Sequence, residues 1–232
     1  MLALLWKEYR LNRDFFICGG MLLVLPYFMV WFVLSYTEIW NDMTATTGWV
    51  LYWESSAYVS VFASQATIAM LSAFMIARER ADGSAEFLAY LPPSRLRTIA
   101  VKIGLILFTA AIIWSSGLSV SAIAQSMSEE VDDESISFIA GLPSFLLIAV
   151  LGGLWGGVAW VVSSFSKSPA VAIISAFPAP LFVYFLLILS VYFFSYPKNQ
   201  SDFFDLYVVV CFGLAQVMYG LGIYCYVKRI RP

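Results

Sequence analysis

Glu129, Glu130, Asp132, Asp133 and Glu134 place five carboxylates within six positions. Such a cluster could take a divalent cation, but it lacks the glycine and the ligand spacing of an EF-hand loop and reads as a solvated acidic loop. No histidine occurs in the chain, which removes His-based triads, His-ligated zinc and His-ligated haem. Cys18, Cys211 and Cys225 lie inside apolar runs, form no C-x-x-C pair and read as small packing residues. There is no phosphate-binding loop of the G-x-x-x-x-G-K-[ST] type. Asn199-Gln200-Ser201 is a formal glycosylation triplet of the kind that arises often by chance. Nothing here supplies a nucleophile with its base or a metal-ligand set, so the chain is expected not to be an enzyme and to bind no cofactor.

Two short segments carry more information. In residues 2–13, Leu2, Leu5, Trp6 and Tyr9 follow helical spacing, with Lys7, Arg10 and Arg13 off that stripe. The pattern predicts a basic amphipathic helix lying in a membrane interface, either as an anchor or as a lever that touches a partner. In residues 78–97, Asp82 is suited to cap a helix, Glu86 sits early where the dipole favours an anion, and Pro92 and Pro93 stop it. The predicted helix, 82–91, is roughly 14 Å long. It carries Phe87, Leu88 and Leu91 on one face. A capped and stopped amphipathic helix between two apolar spans suggests docking against a protein.

The elements that hold these segments are membrane spans. Of 232 residues, 61% are apolar and 12% charged, and the mean hydropathy is +0.83. A soluble chain is about 45–50% apolar and about 25% charged, so ordinary soluble enzymes, nucleic-acid binders and disordered proteins are excluded. About 20 apolar residues cross a hydrocarbon core. Six stretches qualify, near 15–36, 55–77, 99–125, 138–163, 169–196 and 203–227. Residues 45–54, with Trp49, Tyr52 and Trp53 before Glu54, read as a separate outer-surface segment with interfacial aromatics. The first apolar run is too long for a cleavable signal and is expected to be a retained span. Of the thirteen basic residues only Lys198 falls on the side that carries Glu38, Asp42, Glu54, the acidic loop, Asp202 and Asp205. The positive-inside rule then places both termini in the cytoplasm. The expectation is an all-α integral membrane protein forming one transmembrane domain, 1–232, with no extramembrane domain.

Inside the spans, Gly152-Gly153-Leu154-Trp155-Gly156-Gly157 forms two overlapping G-x-x-x-G patterns on adjacent faces. They suit packing inside the subunit or contact with a second copy. Pro178 and Pro180 predict a kink in the fifth span. Gln65, Gln125 and Gln216 are the polar residues away from span edges, and no Asp, Glu, Lys or Arg is expected near a midplane. That argues against an ion-coupled carrier.

The 79–95 segment resembles the cytoplasmic coupling segment of ABC-2-type permeases, the membrane subunits of one class of ATP-binding-cassette transporter. Glu79, Arg80, Gly83, Ser84, Glu86, Leu88, Leu91, Pro92, Ser94 and Arg95 match its pattern, as do Lys7, Glu8 and Arg10 near the N-terminus. Pro93 departs from it, standing where a branched apolar residue is usual.

The resemblance implies a permease half-unit, in the family's usual direction an exporter, that pairs with a second copy or a paralogue in the plasma (bacterial inner) membrane. ATP and Mg would be bound by a separate ATPase subunit, docked on Arg80, Asp82, Glu86, Phe87, Leu88, Leu91 and Arg95. Trp6, Lys7, Glu8 and Arg10 would form the interfacial helix. Tyr58, Phe62, Gln65, Phe177 and Tyr184 would line the pathway, because spans two and five tend to face the centre in such transporters. Lipid is an expected partner and nucleic acid is not. The alternatives are a stand-alone secondary carrier or channel, for which no internal repeat is evident, and a membrane assembly factor that transports nothing.

Overall fold

A computed structural model describes residues 2–36, 45–81, 95–128, 142–194 and 200–229. Among the described residues every element is a helix, and six are long and apolar enough to cross a membrane. In chain order the helices are α1 (Leu2–Leu11), α2 (Arg13–Tyr36), α3 (Ala45–Ala81), α4 (Arg95–Ser128), α5 (Leu142–Phe165), α6 (Pro169–Ala176), α7 (Ala179–Phe194) and α8 (Gln200–Arg229). α6 and α7 together make the fifth span. The helix expected at 82–91 and the acidic loop at 129–134 lie outside the described residues.

α3 is the central helix. Two thirds of its apolar stretch (67%) is buried, against 17% for α2 and for α8. Its small and polar residues explain the position: Ser56, Ser60, Ser64, Thr67 and Ser72 are all buried and let neighbouring backbones come close. Ser60 Oγ donates to Leu23 O of α2, and a Cβ at Gly19 of α2 would sit 2.8 Å from Thr67.

α3 also starts earlier than the sequence suggested. Residues 45–54, expected as a separate surface segment, are its first turns. Trp49 stacks on Trp31 at 5.6 Å, and Tyr52 donates its hydroxyl to Tyr27 O at 3.3 Å. Rings that looked interfacial are spent on α2, and Glu54, which looked like a boundary, is buried inside the helix bundle.

The double glycine pattern of α5 serves two neighbours at once. Gly152 and Gly156 face α3, where an added Cβ would run into Gln65 and into Ile68 and Ser72, with Tyr219 of α8 also in the way of the second. Gly153 and Gly157 face α8 at Ala215 and Met218. Packing inside the subunit accounts for both stripes.

The expected proline break is present. The chain turns at Phe177-Pro178, between α6 and α7. Neighbouring spans bond the backbone there: Trp155 Nε1 donates to Phe177 O at 3.3 Å and Tyr207 Oη to Pro180 O at 3.2 Å. Side-chain donors of this kind are what a broken helix needs in a medium without water.

Candidate functional site

A buried ionic cluster joins four helices at one end of the bundle. Lys102 lies two turns into α4, about 10 Å along the helix from Arg95, and its side chain is only 1% exposed. Its ammonium is 2.7 Å from Glu79 Oε1 at the end of α3 and 3.7 Å from Glu8 Oε2 of α1. It also donates to Met75 O. Glu79 accepts on its other oxygen from Tyr226 Oη of α8 at 2.9 Å.

Local structure sets each participant in place. Asn12 ends α1: its side-chain amide donates to Glu8 O at 2.8 Å, and its own carbonyl accepts from Phe15 N at 3.0 Å to begin α2. That tight junction turns Glu8 inward. Arg78, one residue before Glu79, donates from Nη1 to Leu11 O at 3.0 Å and ties the end of α3 to the same junction. A cavity of about 220 Å³ opens beside the cluster, lined by Lys7, Glu8, Asn12, Arg78, Glu79 and Lys102.

Within the cluster two carboxylates share the Lys102 ammonium, and Lys7 is a further cation that acts on Glu8. Burial pushes the Glu8 carboxyl up from its usual value; Lys102 opposes this and Glu79 adds to it. By distance, Lys102–Glu79 is the tight ion pair, and the raised Glu8 carboxyl takes up a proton more readily than a free one. Nothing in this set resembles a nucleophile or a metal centre, and among the described residues no group of three His, Cys, Asp or Glu could hold a metal ion. Its physical capacity is mechanical: one charged knot fixes α1, α3, α4 and α8 relative to one another.

Lys102 is one of the twelve basic residues that the sequence places on the side of the termini, yet it is no surface cation: it is fully buried two turns inside α4. Glu79 and Glu8, known only as matches to a pattern, turn out to be partners. The one available signal was Lys102 itself, a cation six residues inside the apolar stretch that begins at Leu96, because a lysine at that depth demands an acid.

The remaining expected residues are dispersed. Asp82, Glu86, Phe87, Leu88 and Leu91 lie outside the described residues, as do the side chains of Arg80 and Arg95. On α1, Trp6, Lys7 and Arg10 are exposed while Glu8 is buried. Gln65 is fully buried, facing Gly152 and donating to Val61 O at 3.1 Å. Tyr58 stacks on Phe145 at 4.4 Å. Phe62 of α3 and Phe177 of the α6–α7 turn, both exposed, meet on either side of the buried Trp155 of α5, at 5.6 and 5.1 Å. Tyr184 stands apart, edge-on to Phe203 and Tyr207 of α8.

Six apolar helices define a multi-pass membrane protein. The chain belongs to the ABC-2 transporter family: the profile of a family described as "ABC-2 family transporter protein" matches residues 9–182. The match covers α2 to α6, includes Glu79 and Lys102, and begins one residue after Glu8. No curated protein and no solved structure matches the chain. As a member of this family it is the membrane permease component of an ABC transporter.

Proposed function

We propose that this permease converts ATP hydrolysis on a separate ATPase subunit into export of a substrate across the plasma membrane, the inner membrane of a bacterium, with both termini in the cytoplasm. The ATPase docks on the helix at 82–91 through Phe87, Leu88 and Leu91, with Arg80, Asp82, Glu86 and Arg95 supplying charge complementarity. ATP and Mg belong to that partner. The observation that carries the reading is the Glu8–Lys102–Glu79 cluster. The proposed docking segment begins three residues after Glu79 in the chain, so any displacement of it pulls on an ion pair shared by α3 and α4 and, through Glu8 and Tyr226, on α1 and α8. A push at 82–91 thus reaches several spans through one rigid knot, as a two-state element biased by nucleotide requires.

Six spans form half of a pathway, and a second copy or a paralogue supplies the other half. The exposed rings of Phe62 and Phe177, backed by the buried Trp155, mark the natural seam, because they lie on the central helix and on the broken fifth span at the same time. Of the expected pathway residues, Phe62 and Phe177 suit that seam. Tyr58, Gln65 and Tyr184 would reach it only through rearrangement.

The test is gentle detergent extraction of the tagged protein from its native membrane, with and without cross-linking, followed by mass spectrometry. A stoichiometric protein carrying a phosphate-loop ATPase signature is the expected result. A clean preparation without one, before and after cross-linking, overturns the reading and leaves a carrier, a channel or an assembly factor.

A further inference from the structure

We infer that the groove between α2 and α4 is a binding site for one anionic phospholipid of the leaflet on which α1 lies, with an acyl chain in the groove and the phosphate on Lys7 and Arg10. The groove has a volume of about 800 Å³ and is almost wholly apolar. Its length along α4, from Gly104 to Ile113, is about 14 Å at the helical rise, against roughly 15 Å for one leaflet of a hydrocarbon core about 30 Å thick. While the buried Leu105, Thr109 and Ile113 lie deeper, Gly20 and Gly104 leave room in it: both line it, both are exposed, and a Cβ added to either would meet nothing within 4 Å. Phe16, Phe108 and Ile112 stand beside them as walls.

What selects a phospholipid, and an anionic one, is the end of the groove. Trp6 of α1 lines both the apolar groove and an adjoining polar pocket of about 550 Å³. That pocket presents Lys7, Arg10 and Arg78 against a single carboxylate, Asp14, which lies 3.8 Å from Arg13 Nε. Arg78 already donates to Leu11 O, so Lys7 and Arg10 are the groups assigned to the phosphate. The joint between apolar groove and cationic pocket falls at an indole, the side chain that prefers the level of the headgroups. Cations at that level attract anionic lipid and discriminate little between neutral ones. The inference needs only the membrane location of the chain and does not depend on an ATPase partner.

The test is native mass spectrometry of the full-length protein, delipidated in detergent and then titrated separately with phosphatidylglycerol and phosphatidylcholine. The wild type should retain one phosphatidylglycerol, with a preference over phosphatidylcholine on the order of tenfold, as two interfacial cations supply. Gly104→Leu, whose Cβ has open space and whose side chain would occupy the groove, should lose that lipid. Gly213→Leu, on an exposed and equally open position of α8, should keep it and controls for folding. Lys7→Gln with Arg10→Gln should abolish the preference for phosphatidylglycerol. Equal retention of both lipids by the wild type, or full retention by Gly104→Leu, means annular lipid only and overturns the site. Loss on Gly104→Leu with the preference intact in the lysine–arginine variant overturns the assignment of the phosphate.

Discussion

The Lys102 ammonium lies 2.7 Å from the Glu79 carboxylate although the lysine is 1% exposed and its partner only 10%. A buried pair is weak evidence for net stability, but removing one partner of it is severe, because the other charge is left in a medium that cannot solvate it. Glu79→Gln should lower the unfolding free energy in detergent by about 3–5 kcal/mol. Lys102→Met should cost at least as much, since it removes the ammonium that both Glu8 and Glu79 face. Joining Lys102→Met to Glu79→Gln should cost clearly less than the two losses added, because neither member of the pair is then left as a lone charge. Thermal melts of the four proteins check this, and a double variant as damaged as the sum of the singles would show that the pair acts otherwise.

Glu8 should make stability depend on pH. Burial raises its carboxyl above the usual 4.5 in the folded protein. The folded state therefore holds a proton that the unfolded chain has released, and stability falls as pH rises from about 4.5 through the raised value, staying lower beyond it. Glu8→Gln should flatten that part of the profile and match or exceed the wild type at neutral pH. Melting temperatures between about pH 4 and 8 provide the comparison. A slope unchanged in the variant would assign the effect to another group.

Two glycines of α8 should respond in opposite directions. A Cβ at Gly222 would run into the ring of Trp160, which is completely buried. Gly222→Ala should cost about 1–3 kcal/mol through overpacking. Gly213 has open space around it, so Gly213→Ala should gain about 0.5–1 kcal/mol from reduced backbone freedom. Unfolding in mixed detergent, measured on both variants, decides it; equal effects would place α8 differently against α5.

Leu88→Asp should abolish co-purification of the ATPase while leaving membrane insertion intact. Losing a buried apolar anchor at a protein interface costs about 2 kcal/mol or more, and here a charge is added to the loss. Co-purification at wild-type levels would remove 82–91 from the docking role.

What was legible in the sequence followed from rules that need no partner. Apolar run length revealed six spans, and Pro178 and Pro180 revealed the break in the fifth. Small residues at 152–157 announced close packing, though not that one stripe would meet Gln65 and the other Ala215. Residues 45–54 were misread for a specific reason. Hydropathy counts Glu54 as an interruption and aromatics as interfacial, whereas Trp49 and Tyr52 are held by α2.

The sequence by itself determined the solvent. At 61% apolar with 12% charged residues, and with its apolar residues in continuous runs of about 20, the chain satisfies its backbone in lipid as helices, and that constraint is local. It also determined the family, because the residues around Glu79 can be compared without knowing what they touch. Only the tertiary structure decided that Glu8, Glu79, Lys102 and Tyr226, spread over 218 positions, form one cluster. Which acid meets which base depends on how four helices are rotated and stacked. That is set by the summed packing of Gly19, Gly152, Gly156 and their neighbours, and no single stretch of sequence contains it.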